Sequence, residues 1–230
     1  MHLAARDLRL QLDGRPALDG VSLELPAGTQ ALLLGRSGAG KTVLLKSLAG
    51  LLPGALPSIR WDGQPVTPRA LEERRSAFGM VFQNDALFDS ATVRENVELP
   101  LLRRGVAFAE AAARAEEALS QVGLLDAAEL LPEALSGGMR KRAGLARALV
   151  ARPEVLLLDD PLAGLDPATA HGVAELLLQA ASGRTLLLAA GEPPPQLRPP
   201  RWIWLQRGRV VHDGPPAPAP PESPGEEAAA

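Results

Sequence analysis

An α/β fold, with parallel strands buried in a sheet and a phosphate-binding loop at their carboxyl ends, is predicted by three features of this 230-residue chain. The first is Ala31 to Leu34, a short apolar run fit for a buried strand; GRSGAGKT follows from Gly35 to Thr42, and Thr42 to Leu52 then carries the 3.6-residue period of a helix. The second is Val155 to Leu158, four apolar residues ending in Asp159, the pattern of a parallel strand covered on both faces. The third is the alternation of other short apolar runs with helical patterns: Phe78 to Phe82 and Thr185 to Ala190 read as strands, and Pro167 to Ala181 as a helix.

The remaining elements follow in order. Leu3 to Leu12 and Val21 to Leu25 read as strands joined by the turn Asp13-Gly14-Arg15-Pro16. Ile59 to Asp62 is a further strand, and the strand Phe78 to Phe82 delivers Gln83 at its end. From Asn84 to about Pro132 the pattern turns helical, with Phe108 to Val122, rich in Ala and Glu, the clearest helix. Ser136, Gly137 and Gly138 form the N-cap of a helix expected over Met139 to Val150. Trp202 to Leu205 and Val210 to His212 make a terminal hairpin around Arg207-Gly208, and no internal repeat is visible. The segment Pro215 to Ala230 is Pro, Ala and Glu without periodicity, the composition of a disordered tail.

Composition narrows the class. The length suits one sizeable α/β domain with its own core. No apolar run approaches a bilayer span, and the start, MHLAARDLRL, has charges where a signal peptide needs an apolar core, so a cytoplasmic chain is expected. The chain has no cysteine, which excludes disulfides and cysteine metal sites. A formal charge of −3 with 3% aromatic residues argues against broad nucleic-acid binding.

The loop GRSGAGKT fits G-x-x-x-x-G-K-[ST]. Gly35, Gly38 and Gly40 let the backbone approach phosphates, and the N–H groups of the whole run, Arg36, Ser37, Ala39 and Val43 included, face negative charge at a helix N-terminus. Lys41 is placed to reach the β- and γ-phosphates, and the Thr42 hydroxyl to ligate Mg²⁺. Ligands bind beyond the carboxyl ends of parallel strands, so Asp159 falls beside the phosphates and can hold Mg²⁺ through water. Each feature has a plainer reading: a glycine-rich turn into a helix, a strand-to-turn boundary at Asp159-Asp160, an ordinary cap at Ser136, and a solvated helix face at Arg140, Lys141 and Arg142.

Four phrases in one order favour the functional reading of the loop, the carboxylate and the cap, and leave that of the basic triplet open: GRSGAGKT, FQ ending at Gln83, LSGGM from Leu135 to Met139 and VLLLDDP from Val155 to Pro161. Together they resemble the ATP-binding cassettes. The resemblance implies a P-loop NTPase fold of the cassette type over residues 1–214, with a mixed sheet core, an antiparallel β subsheet and a helical subdomain at about 84–135, and leaves 215–230 as a tail. It implies ATP and Mg²⁺ as cofactors, with Thr42, Gln83 and Asp159 at the metal and Lys41, Gln83 and Asp160 in catalysis. In cassettes the LSGG cap faces the γ-phosphate of ATP held by the opposite subunit. Ser136, Gly137 and Gly138 thus imply a head-to-tail dimer, homomeric or heteromeric. The chain is too short for two cassettes, so a separate permease is expected, with this subunit peripheral on the inner face of the cytoplasmic membrane.

Within that superfamily, MVFQNDALFDSATVRENVELPL (80–101) and ALSGGMRKRAGLARAL (134–149) look like the ATPases of Mla/Mce lipid-transport systems, most specifically in FQ-x-x-ALF and in Met139 where many cassettes carry Gln. That resemblance implies movement of phospholipids or other lipids between membranes with an Mce-domain binding protein. Val93 to Leu102 would lie near the groove for the permease's coupling helix, unless Phe82, Leu87 and Phe88 are simply core between subdomains.

The chain departs from the cassette pattern along one catalytic edge. Asp160 stands where a Glu usually polarises the attacking water, one methylene too short, and misplacement by about 1 Å can cost on the order of a hundredfold in rate. Gly191-Glu192 stands where cassettes have a His that contacts the γ-phosphate, a loss typically worth about 10²–10³ in rate. The five prolines of EPPPQLRPPR (192–201) forbid the short helix that normally follows. No aromatic residue is present near Leu12 and Asp13 to stack on adenine. Slow turnover is expected; the alternative is a catalytically degenerate ATP-binding subunit with a regulatory or structural role beside an intact partner.

Overall fold

The computed structural model describes residues 1–82 and 86–221. The chain folds on two sheets. The larger has the order β10 (Arg209–Gly214), β9 (Arg201–Gln206), β3 (Gln30–Leu34), β8 (Thr185–Ala190), β7 (Val155–Asp159) and β6 (Phe78–Val81). All neighbours in it run parallel except the edge hairpin β9–β10. The smaller is antiparallel, β2 (Arg15–Leu25), β1 (Leu3–Leu12), β4 (Ile59–Trp61) and β5 (Gln64–Pro65). This is the mixed sheet with an antiparallel subsheet that the motifs implied.

The burial patterns explain the layers. Every residue of β7 and β8 is buried, as their unbroken apolar runs require of central parallel strands. One face of the large sheet packs with β1, β2 and α1 (Lys41–Leu48) around Leu3, Leu25, Leu33, Leu45 and Trp61; the other meets α6 (Pro167–Ala180) through Leu32, Leu158, Val173, Leu177 and Leu188. A third cluster joins α3 (Val93–Leu102), α4 (Phe108–Gln121) and α5 (Gly137–Leu149) through Val97, Leu101, Ala115, Leu119 and Ala143. A short helix α2 (Pro68–Arg74), with Thr67 as its cap, bridges β5 and β6.

Several boundaries differ from expectation for local reasons. β2 begins at Arg15, because Asp13 (φ +50°) and Gly14 (φ +74°) alone make a left-handed two-residue turn and Leu12 already pairs with Arg15. α1 stops at Leu48 instead of Leu52: Gly50 adopts φ +71°, its N–H donates to Ser47 O and that of Leu51 to Lys46 O, closing the helix end. α5 starts two residues early, with Ser136 alone as cap, its Oγ accepting from Met139 N at 3.3 Å. Gly137 and Gly138 therefore lie in the first turn, not in the cap.

The described part of the tail is held along β9. Trp204 Nε1 donates to Ala217 O at 3.1 Å, Gln206 Nε2 donates to Pro220 O at 2.9 Å, and His212 Nε2 lies 3.0 Å from Pro215 O. The expected disorder of 222–230 lies outside the described residues. Among the described residues, no helix is long and apolar enough to cross a membrane.

Candidate nucleotide-binding site

The buried strand β3 hands the chain to Gly35 at the carboxyl edge of the large sheet. Its glycines are required by close approach: a Cβ at Gly35 would sit 2.3 Å from Leu205 O, and one at Gly40, the αL cap of α1 at φ +104°, would sit 2.6 Å from Ala17 O. The loop is also laced to distant strands. Gly208 N donates to Ala39 O at 3.0 Å, and Asp19 N to Gly208 O at 2.9 Å. No local pattern announced that support, since it comes from β2 and the β9–β10 turn.

Lys41 folds back over the loop, its Nζ donating to Gly35 O (2.6 Å) and Arg36 O (3.0 Å). Burial pulls its pKa below the ordinary lysine value, and the carboxylates of Asp160 and Asp159 push the other way. Thr42 Oγ1 donates to Asp159 Oδ2 at 2.6 Å, so the first turn of α1 and the end of β7 meet through one hydroxyl and one carboxylate. Asp159 is only 3% exposed. Asp160 turns away from the strand at φ +52°, its N–H bonded to Ala189 O at 2.9 Å. Burial raises its pKa, while the ammoniums of Lys141 and Lys41 lower it.

The structure thus gathers Lys41, Thr42, Asp159 and Asp160 at one sheet edge. Arg36 and Ser37 are exposed on the loop, Gly38 has open space beside it at φ +78°, and Ala39 is buried beneath. Val43 packs against the core on α1. Among the described residues, no hydrogen bond links Ser136, Gly137 or Gly138 to the loop 35–42; their helix end is exposed. Gln83 lies outside the described residues. Gly191 and Glu192 are exposed after β8, with nothing within 4 Å of a Cβ at Gly191, and Leu12 is exposed at the end of β1.

The basic triplet after LSGGM is not a solvated face. Arg140 Nη1 donates to Leu135 O at 2.7 Å, Arg142 Nη1 to Val122 O at 2.8 Å, and Lys141 Nζ to Ala163 O, each half-buried and tied to a different segment. Asn96, which sequence reasoning passed over, organises the turn before α3: its fully buried amide accepts from Phe88 N (2.7 Å) and donates to Phe88 O, Ala91 O and Thr92 O. A polar residue in a helical run gives no sign of such burial. Phe88 is 49% exposed, whereas Leu87 packs on the helical core, so only part of that segment is core.

Residues 18–163, more than half of the chain, match the family model described as ABC transporter. The chain belongs to the ABC transporter family. It is 41% identical over 191 residues to the methionine import ATP-binding protein of Rhizobium etli, covering 81% of this chain and 53% of that protein. It is 45% identical over 179 residues to the taurine import ATP-binding protein of Mesorhizobium japonicum, covering 77% and 68% respectively. The chain spans about half the length of the methionine importers it matches. Among solved structures it is similar to the ATP-binding cassette MJ0796, a dimer in a post-hydrolysis state bound to ADP and phosphate, at 27% identity and a TM-score of 0.83, covering 93% of this chain and 98% of that one.

ABC ATPase domains work with ATP and Mg²⁺. The site fits both. A loop closed to side chains at Gly35 and Gly40, a lysine and a helix N-terminus suit phosphates, and the Thr42 hydroxyl beside the Asp159 carboxylate offers the hard oxygen donors that Mg²⁺ prefers. Among the described residues no group of three or more His, Asp or Glu side chains could hold a metal ion.

Proposed function

We propose that this chain is the ATP-hydrolysing subunit of an ABC transporter, peripheral on the inner face of the cytoplasmic membrane, acting as a head-to-tail dimer beneath a separate permease. The observation that carries it is the meeting of Lys41, Thr42, Asp159 and Asp160 at one sheet edge of a family member. In this reading the N–H groups of 35–43 hold the phosphates, and Lys41 leaves the carbonyls of Gly35 and Arg36 for the β- and γ-phosphates. Thr42, Asp159 and Gln83 would hold Mg²⁺, which when bound would neutralise charge on the phosphates. Asp160 orients the attacking water and takes its proton; burial holds its pKa above the usual carboxylate range, which strengthens it as a proton acceptor, against the lowering pull of Lys141 and Lys41. Ser136, Gly137 and Gly138 complete the partner's site, as their exposed helix end permits. The dimeric cassette MJ0796 supports the assembly by similarity.

For cargo, Met139 and FQ-x-x-ALF favour phospholipids or other lipids, with an Mce-domain partner. The methionine and taurine import relatives favour small solutes instead. Cargo contacts belong to other chains, so purification with the permease and its bound ligand separates these two. The first test is steady-state ATP hydrolysis with the permease, using Lys41→Ala as the blank. A rate well above that blank supports the motor. A rate equal to it, with ATP still bound, points to the degenerate regulatory subunit that Asp160 and Gly191 allow.

A further inference from the structure

Resting on that reading, we infer that Lys141 is a positioning residue for hydrolysis: it ties the helix that begins at the LSGG cap to the turn that carries Asp160, so that the two ends of the subunit's contribution to the paired sites move as one piece.

The turn from Asp160 to Leu165 links β7 to α6 and has few fixed points. At its start Asp160 N is bonded to Ala189 O on β8. Inside it, Ala163 N donates to Asp160 O at 3.2 Å and Leu165 N to Leu162 O at 3.3 Å. A side-chain tether reaches it from α5, the Lys141 ammonium on Ala163 O. Asp160 adopts φ +52°, a left-handed conformation that outside glycine is met mainly in Asn and Asp. The Ala189 contact holds the first residue of the turn and the Lys141 contact holds its fourth, Ala163.

The other end of the tether is rigid. Lys141 lies five residues beyond the Ser136 cap in α5, and the helix is fixed at both neighbouring positions, by Arg140 on Leu135 O and by Arg142 on Val122 O. The first turn of α5 already lies against the same segment, since a Cβ at Gly138 would come within 3.4 Å of Thr169 Cγ2 and 3.5 Å of Leu165 Cδ2. In a head-to-tail dimer, the LSGG end of one chain meets the nucleotide held by the other, whereas Asp160 serves the nucleotide of its own loop. A shift of α5 on engaging the partner's nucleotide therefore pulls on Ala163 and, through it, on Asp160. Sequence alone placed Lys141 on a solvated face, because a helical pattern does not show which turn a long side chain will reach.

The test uses the full chain with its permease and three readouts: kcat, KM for ATP, and melting temperature. Lys141→Met keeps the length and removes the donor; Lys141→Arg keeps a donor. The expected result is a fall in kcat of about tenfold or more for Lys141→Met, with KM and melting temperature close to wild type, and recovery of most of the rate in Lys141→Arg. A Lys141→Met variant as fast as wild type overturns the inference. So does an equal loss in Lys141→Arg, or a melting temperature that falls along with the rate. A wild-type rate no higher than that of Lys41→Ala would instead remove the hydrolysis reading, and this inference with it.

Discussion

At the residue scale, Asp160 and Glu98 are carboxylates whose pKa burial raises. Asp160 sits beside two lysines on a left-handed backbone, and as the proposed base it would supply a proton acceptor that Asn cannot. Asp160→Asn is expected to lower steady-state hydrolysis by about 10²-fold or more while ATP binding, read by titration calorimetry, stays near wild type. Glu98 serves no step of the proposed reaction. It lies on α3 at 2% exposure, Oε1 has no hydrogen-bond partner, and burial raises its pKa, opposed by Arg94 and reinforced by Glu95, Glu129 and Glu116. A carboxyl raised in the folded state carries no penalty below its unfolded pKa and destabilises as pH rises through the folded value. Glu98→Gln is therefore expected to melt higher at pH 7, by about 1–2 kcal/mol, with the gap closing as pH falls toward the unfolded carboxylate pKa. An unchanged difference between acid and neutral melts would contradict that account. Lys41, Thr42 and Asp159 were legible from their spacing because the phosphate chemistry itself demands those types at those positions. Glu98 was not, since one polar letter in VRENVELPLL does not say which side of the helix is covered.

At the element scale, ends matter more than interiors. α3 begins with a complete capping box, Thr92 Oγ1 accepting from Glu95 N at 3.2 Å and Glu95 Oε2 from Thr92 N at 2.7 Å. Thr92→Ala is expected to cost about 1 kcal/mol in denaturant unfolding, with ATP binding unchanged. Gly40 caps α1 with neither side-chain space nor an ordinary backbone angle. Gly40→Ala should cost about 2 kcal/mol or more and weaken ATP binding, because the strain falls on the loop itself. Helices and strands were located well by periodicity and apolar runs. Their ends moved where a single left-handed residue, Gly50 or Gly14, decided the matter, since hydrophobic pattern does not encode φ.

At the scale of the whole molecule, the loop's support and the tail's docking both come from long-range contacts. Gly208, in the turn between β9 and β10, and Asp19 on β2 of the smaller sheet brace the loop, and the tail returns along β9 to Pro220. A chain ended at Gly214 loses the acceptor for Trp204 Nε1. Its tryptophan emission should shift to the red and its stability fall by about 1 kcal/mol, while an unshifted spectrum would mean that the contact contributes nothing.

What the sequence by itself determined is the class of fold and the chemistry of the loop: buried strands read as apolar runs, and glycines, a lysine, a threonine and a carboxylate stand at spacings that phosphate and Mg²⁺ require. What only the tertiary structure decided is which distant groups hold that chemistry in place, namely Gly208 on the loop, Asn96 before α3 and Lys141 on the turn of Asp160. The reason is physical. Local pattern reports which residues seek burial or phosphate, but a tether between residues tens of positions apart exists only once the sheets and helices have brought their ends together.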